Sequence, residues 1–435
     1  MAEVNRGRGV QVGDQNTQTN VFMPSQSQPL NLGALNWHVA ATKVRELSRD
    51  NAVVALAAVP LADAVGILAI VLGEAEGVAV SLLAHMNPAR CRELVTALKR
   101  QRPWLEQLPA AAAEIAGLER KALGSLGERT GQVEHIGPST EGTHGYRQPH
   151  RNGQILWSPR RGALEVQAPH LYDGTSGVLR FPLGSPEPAP RSAQGTEGTF
   201  QRFEGGAAVY RTEMYGVRAI FGFIGAYYRE SGGPAGPLGY PAGAAERIGP
   251  SRHGKRAGWS KRFEGGTVYR VPRETEGYDS VSVSSEIADY HHAQGGVAGR
   301  LGFPTREAVR VTSSFGTEAV GQTFEGATVF VSRHGTFMVR DAVGTLNVRL
   351  GLPSSEENDG RQDFEGGAIF SSADGEFSVR KGILEPARRL GFPTTAEQRL
   401  GENADDFAQF FEKGVITVRD GVVRSWVSAL EEPWP

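Results

Sequence analysis

The side chains able to do chemistry in this 435-residue chain recur along it rather than cluster. A glutamate follows a phenylalanine at Phe203-Glu204, Phe263-Glu264, Phe324-Glu325, Phe364-Glu365 and Phe411-Glu412, with glycine next or one residue later. Two readings of Glu204, Glu264, Glu325, Glu365 and Glu412 stand at this point. Either the carboxylates accept hydrogen bonds from neighbouring turn amides, or they form a ring of acids that meets sugar hydroxyls or a cation. Trp157, Tyr215, Tyr227, Tyr228, Trp259 and Tyr290 vary between copies and offer either flat faces for sugar stacking or half-buried core positions. Asp289, His291 and His292 suggest a metal, but adjacent histidines on a helix point about 100° apart and do not share one ion. Cys91 lies between Arg90 and Arg92, which would lower its pKa, unless the thiol is buried. The chain has no Walker-type phosphate loop, HExxH or G-x-S-x-G elbow. No catalytic residue, cofactor or metal site is therefore expected.

These residues need scaffolding, and composition divides the chain into three stretches. Residues 1–33 are polar and rich in Gln and Asn, residues 34–126 are rich in Ala and Leu, and residues 127–435 are Gly-rich, aromatic and repetitive. In the middle stretch Trp37, Ala41, Val44 and Leu47 recur at helical spacing, as do Ile115, Leu118, Ala122 and Leu126. Short units opening at Pro60, Glu74 and Pro88 are too short to stand alone, so a packed helical array is expected. The run SLLAHMNPARCRELVTAL is similar to the short helical repeats of flagellar-rotor and magnesium-transporter cytoplasmic domains, which implies a helical adaptor.

The third stretch alternates the Phe-Glu signature with Leu-Gly-x-Pro. The tetrapeptides are Leu183-Gly184-Ser185-Pro186, Leu238-Gly239-Tyr240-Pro241, Leu301-Gly302-Phe303-Pro304, Leu350-Gly351-Leu352-Pro353 and Leu390-Gly391-Phe392-Pro393. A degenerate sixth copy is read at Ile136-Gly137-Pro138-Ser139. The segments GAIFSSADGEFSVR, ATVFVSRHGTFMVR and VITVRDGVVRSWV each read strand, turn, strand, with Asp374-Gly375, His334-Gly335 and Asp420-Gly421 at the turns. A hairpin cannot bury its apolar face alone, so such units must stack or close into a ring. The alternation resembles the LGFP repeat family over residues ~130–425. That resemblance implies a propeller-type binding module of five or six blades, of actinobacterial kind, associated with the cell wall and with glycan as its ligand.

At the N-terminus, GVQVGDQNTQTNVF places Val10 and Val12 on one face of a strand. After the turn-prone Gly13-Asp14, Asn16, Gln18 and Asn20 share one face of a second strand. Stacked copies of such an arch would join Asn and Gln side chains in hydrogen-bonded ladders; the alternative is a solvated tail. Gly9-Val10-Gln11-Val12-Gly13-Asp14-Gln15-Asn16 resembles bacterial amyloid-signalling sequences of the type likened to the RIP homotypic interaction motif. The resemblance implies self-assembly through Val10, Gln11, Val12, Gly13, Asn16, Gln18 and Asn20, or assembly with a protein carrying a similar motif.

The expected fold is therefore α+β and multidomain, with an amyloid-prone tail, a small all-α domain and an all-β repeat domain. Net charge is −2, which gives no general reason to bind nucleic acid, and one cysteine excludes an intrachain disulfide framework. No secretory leader opens the sequence, and Pro60 and Asp63 break the most apolar stretch below the ~18 residues of a membrane span. A cytoplasmic, non-enzymatic signalling or conflict-response protein is expected. Its ligand-binding residues are expected among Trp157, Tyr215, Tyr228, Trp259, Glu204, Glu264, Glu325 and Glu365. The alternative is a cell-envelope module that anchors to wall glycan after unconventional export.

Overall fold

The computed structural model describes residues 31–139, 141–167, 181–254, 257–273, 277–340 and 349–427. The self-assembly residues Val10 to Asn20 lie outside the described residues. Six helices come first: α1 (Trp37–Glu46), α2 (Arg49–Ala58), α3 (Leu61–Glu74), α4 (Glu76–His85), α5 (Pro88–Leu98) and α6 (Leu108–Leu126). Their local chemistry follows the sequence. Asn36 and Asn87 cap α1 and α5 by accepting from the amides of His38 and Ala89, and Pro88 opens α5. Trp37 lies across Gly66 of α3, where a Cβ would sit 2.4 Å from the indole ring.

Six antiparallel sheets follow among the described residues. In chain order they are the first, β1 (Glu134–Ile136) to β4 (Gly162–Val166); the second, β5 (Glu187–Ala189) to β8 (Gly216–Ile220); and the third, β9 (Pro241–Ile248) to β12 (Tyr278–Ser284). The fourth is β13 (Val309–Thr312) to β16 (Gly335–Arg340), the fifth β17 (Arg361–Phe364) to β19 (Gly375–Arg380), and the sixth β20 (Gln398–Arg399) to β23 (Val422–Val427). Each runs as a meander, so neighbours in sequence are neighbours in the sheet. The three hairpins read from sequence are β15 (Ala327–Ser332) with β16, β18 (Gly367–Ser372) with β19, and β22 (Gly414–Arg419) with β23. Helix α7 (Gly222–Glu230) follows the second sheet, and α8 (Ser285–Ala293), read from sequence as helical, follows the third.

The chain forms two compact units, Met1–Glu165 and Val166–Pro435. The division therefore falls after the first sheet instead of at residue 126, where composition placed it. The reason lies in the first sheet's core face. In the second unit, from its second sheet on, each sheet shares core with the sheet before it: Val268 lies in one cluster with Tyr210 and Ile220, Val329 in one with Tyr269, and Ile369 in one with Val339. Ile155 holds the same register position in the first sheet, and its core neighbours are helical residues instead. The helices thus stand where a preceding sheet would stand. At the other end, the last sheet leaves Phe410, Trp426 and Val422 exposed, at 43%, 48% and 54%. The five- or six-bladed ring expected from sequence would need both of these faces.

A buried amide ties neighbouring sheets together. Gln322 Nε2 donates to Arg306 O at its own sheet's start and to Ser282 O in the sheet before, at 3.1 and 2.7 Å. Gln362 and Gln409 repeat the pair of bonds one and two sheets on. The third sheet has Lys261 at this position, donating to Gly243 O at 2.8 Å and only 4% exposed. Burial, with Arg218 nearby, pushes its ammonium down to about 8. Stability is therefore complete above the usual amine range and is lost as pH falls through about 8. Lys261→Gln should raise stability by about 1–3 kcal/mol at neutral pH. Urea denaturation from pH 7 to 10 should find wild-type stability rising and that of the variant flat.

Candidate functional site

Four of the five recurrent glutamates make the turn-amide bonds of the first sequence reading. The Glu264 carboxylate accepts from Tyr240 N at 2.7 Å, Glu325 from Phe303 N at 2.9 Å, Glu365 from Leu352 N at 3.0 Å, and Glu412 from Phe392 N at 3.1 Å. Each acceptor is the glutamate of Phe-Glu, and each donor is the third residue of the preceding Leu-Gly-x-Pro. The glutamate amide returns a bond to the carbonyl of that same residue, at 3.0 to 3.1 Å. The intervening glycine is what lets the carboxylate in. A Cβ on Gly239, Gly302, Gly351 or Gly391 would stand 2.2 to 2.3 Å from a carboxylate oxygen, and all four have φ between +63° and +82°. Glu365 gathers most: Thr317 Oγ1 also donates to it, His334 Nε2 lies 3.2 Å away, and its pKa falls to about 2 as these hydrogen bonds outweigh burial.

That bonding pattern also locates the two irregular copies. Pro182 pairs with Phe203 as Pro304 pairs with Phe324, and Glu204 N donates to Phe181 O. The tetrapeptide slot of the second sheet is therefore residues 179–182, four before the Leu183 to Pro186 match, with 179 and 180 outside the described residues. In the first sheet the slot is Leu126-Gly127-Glu128-Arg129, not Ile136 to Ser139. Gly127 has φ +72°, Arg129 pairs with His150, and Asn152 N donates to Leu126 O as Gly326 N does to Leu301 O. The conserved bonds are backbone bonds, so Arg and His can replace Pro and Phe and leave no letters to find.

The aromatic candidates separate. Trp157 and Tyr228 are buried, at 4% and 0% exposure, and present no ring face. Tyr228 donates to Gly239 O at 2.7 Å; His291 takes its place one copy on, 2.8 Å from Gly302 O. Burial lowers the His291 pKa, so the imidazole is neutral, with Nδ1 accepting from the Tyr269 hydroxyl at 3.2 Å. Tyr227 and Tyr290 bond Glu307 and Glu356, each at 2.7 Å. Tyr215 is half-buried against the core of the second sheet, and Trp259 is exposed. Burial raises the Cys91 thiol to about 11, against the effect of Arg92. Among the described residues no group of three potential metal ligands occurs, and no helix is long and apolar enough to cross a membrane.

One cavity, of about 470 Å³, stands between the third sheet and α8. Tyr269 backs it, Ile248 and Val297 supply apolar wall, and Glu246, Arg262, Asp289 and His292 bring polar groups to its lining. Ser260 lines it, at a position that is also small in the fourth and sixth sheets, as Gly321 and Ala408. In the second sheet Phe200 occupies this position and stacks on Tyr210 at 5.9 Å; in the fifth, Arg361 lies over Phe370 at 5.5 Å. Ser260 opposite Tyr269 leaves that space open, while His291 fixes the tyrosine from behind. Apolar wall plus donors and acceptors suits a polyhydroxylated ligand. Sequence reasoning considered Asp289 and His292 only as metal ligands, rejected that role, and missed Glu246, Arg262 and Ser260, which come together only in the folded sheet.

The LGFP repeat family matches residues 183–236, the second sheet and the helix after it. No curated protein matches the chain. Among solved structures, one likeness is to a catalytically inactive virginiamycin B lyase from Staphylococcus aureus with quinupristin. It is 10% identical and covers 69% of this chain and 89% of that one, at a TM-score of 0.11, which carries no inference about fold or activity.

A side chain at the turn glycine must collide with the carboxylate or expel it. Gly302→Ala should cost about 2–4 kcal/mol through both the clash and the positive φ. The midpoint of urea denaturation for full-length wild type and variant measures it.

Proposed function

We propose that the repeat sheets form a non-enzymatic ligand-binding module, with glycan as ligand, and that residues 9–22 assemble the chain with itself or with a partner of like sequence. The single observation that carries the binding half is the cavity at Ser260. The second sheet fills this space with the Phe200 ring, the third leaves it open beside Ser260, and polar groups from sheet and helix line the opening. A packing residue is not surrendered to stabilise a fold, since an unfilled space forfeits contacts. We further infer that the sheets are blades curving about a common axis, as in a propeller. In support, Tyr227, in the helix after the second sheet, reaches Glu307 at the start of the fourth, and Tyr290 reaches Glu356 at the start of the fifth. Contacts that skip a sheet arise where blades converge.

Clustering many such modules on a templated fibre would convert weak single-site binding into high avidity. On this reading the chain acts as a signalling or conflict-response protein of the cytoplasm. The anchoring alternative, with the same cavity meeting wall glycan, rests on the LGFP match over residues 183–236.

Calorimetric titration with soluble cell-wall oligosaccharides tests the binding half. Asp289→Asn and Arg262→Ala should each weaken binding about tenfold, a loss of roughly 1.4 kcal/mol. Ser260→Phe should abolish it while leaving the fold intact; undiminished binding by Ser260→Phe would sink the assignment. Electron microscopy with thioflavin fluorescence tests the assembly half. Fibres are expected from the full chain and none from Val12→Asp, and equal fibre formation by both would refute a role for the motif.

A further inference from the structure

Four of the chain's ten histidines stand where the helices of the first unit meet the first sheet. His135 on β1 holds Glu76 at the start of α4 through Nδ1 and His144 through Nε2, both at 3.1 Å. Its ring stacks on Trp104 with centroids 3.7 Å apart and an interplanar angle of 7°. His85, at the end of α4, holds Ser81 O through Nδ1 at 2.7 Å and Arg129 through Nε2 at 3.0 Å. Arg129 pairs with His150 of β2, and His150 Nε2 lies 3.7 Å from Glu119 of α6.

Proton bookkeeping shows what acid does here. In the neutral state His135 donates to Glu76 through Nδ1–H and accepts at Nε2 from His144 Nδ1–H. One added proton is accommodated, because His144 can change tautomer and accept. A second places two N–H groups face to face and two positive charges in adjacent rings, beside Arg102. Glu76 is the carboxylate that offsets them. At His85, Nδ1–H is already committed to Ser81 O, so protonation puts an N–H against the Arg129 guanidinium, with Arg49 adding repulsion and Asp50 opposing it. Glu119, near His150, pairs with Arg129 through both oxygens.

We propose that this joint is a proton-operated latch: protonation of His85 and of both His135 and His144 releases the first sheet's Ile155 and Trp157 face from the helices. Burial lowers the pKa of His85 and His135, so the folded joint favours neutral imidazoles. Its stability is complete above the usual imidazole range and is lost as pH falls below it. The face released is the one that, in the second unit, each later sheet turns to its predecessor. Acid would therefore make the first sheet able to accept a sheet from elsewhere.

Hydrogen exchange on the full chain, expressed as protection factors, reads the latch directly. Between about pH 7.5 and about pH 5, protection across residues 134–136 and 145–150 should fall roughly tenfold, while residues 407–411 and 414–419, a sheet with no histidine, keep theirs. His85→Gln with His144→Gln, which cannot be protonated, should abolish that fall. His144→Gln alone, the milder change, should move it about one pH unit lower if the double variant does not fold. Equal losses in wild type and variants, no loss in wild type, or a parallel loss over residues 407–411 and 414–419 would each overturn the proposal.

Discussion

A carboxylate seated on a backbone amide, with no room for a Cβ between them, governs every regular copy of this repeat. The Glu264, Glu325, Glu365 and Glu412 side chains each reach back some 13 to 24 residues to the turn that opens their own sheet. That reach fixes the loop between turn and sheet, sets the pairing of Pro with Phe, and aims the phenylalanine into the core. The turn glycine cannot be replaced for two independent reasons, its φ and the nearness of the carboxylate oxygen. Charge-assisted bonds of this kind are stronger than neutral ones, and the low pKa of Glu365 is the energetic trace of several acting on one group.

The variations follow from what that anchor leaves free. Where an imidazole can reach the glycine carbonyl, His291 replaces Tyr228 at the same post. Where the anchor itself is absent, in the first sheet, the backbone bonds persist and helices cover the face that a preceding sheet would take. Within the first unit the helices thus take the part that a cap plays in a repeat array. The cavity at Ser260 belongs to the same logic. The anchor holds the third sheet in register regardless, so a packing position away from it was free to become small and open a space beside α8.

Much of the fold was legible in the sequence. Leu-Gly-x-Pro alternating with Phe-Glu marked the regular copies because glycine and glutamate are each the one residue type their place accepts. The hairpins after Phe324, Phe364 and Phe411 showed in β-branched alternation and turn residues, and α5 in the Asn87-Pro88 start. Other features were hidden for physical reasons. The first sheet's slot at Leu126 to Arg129 keeps its backbone bonds and loses its side-chain letters. Leu183-Gly184 imitates a tetrapeptide four residues past the true one, because sequence cannot see which proline meets Phe203. The cavity was invisible, since Ser260 means nothing until it is set beside Phe200. Trp157 and Tyr228 looked like ligand platforms because an aromatic in a short strand carries no mark of which face is covered.

The central claim, that a carboxylate–amide bond organises each copy, is tested most directly by a pH titration of amide proton shifts in the isotope-labelled full chain. The account predicts that the amides of Tyr240, Phe303, Leu352 and Phe392 resonate downfield near neutral pH. Each should move upfield when the side-chain carboxyl carbon of its own glutamate does, and for Leu352 that move should come well below the usual carboxylate range. Amide shifts that stay fixed while the glutamates titrate, or that are absent from the downfield region, would contradict it.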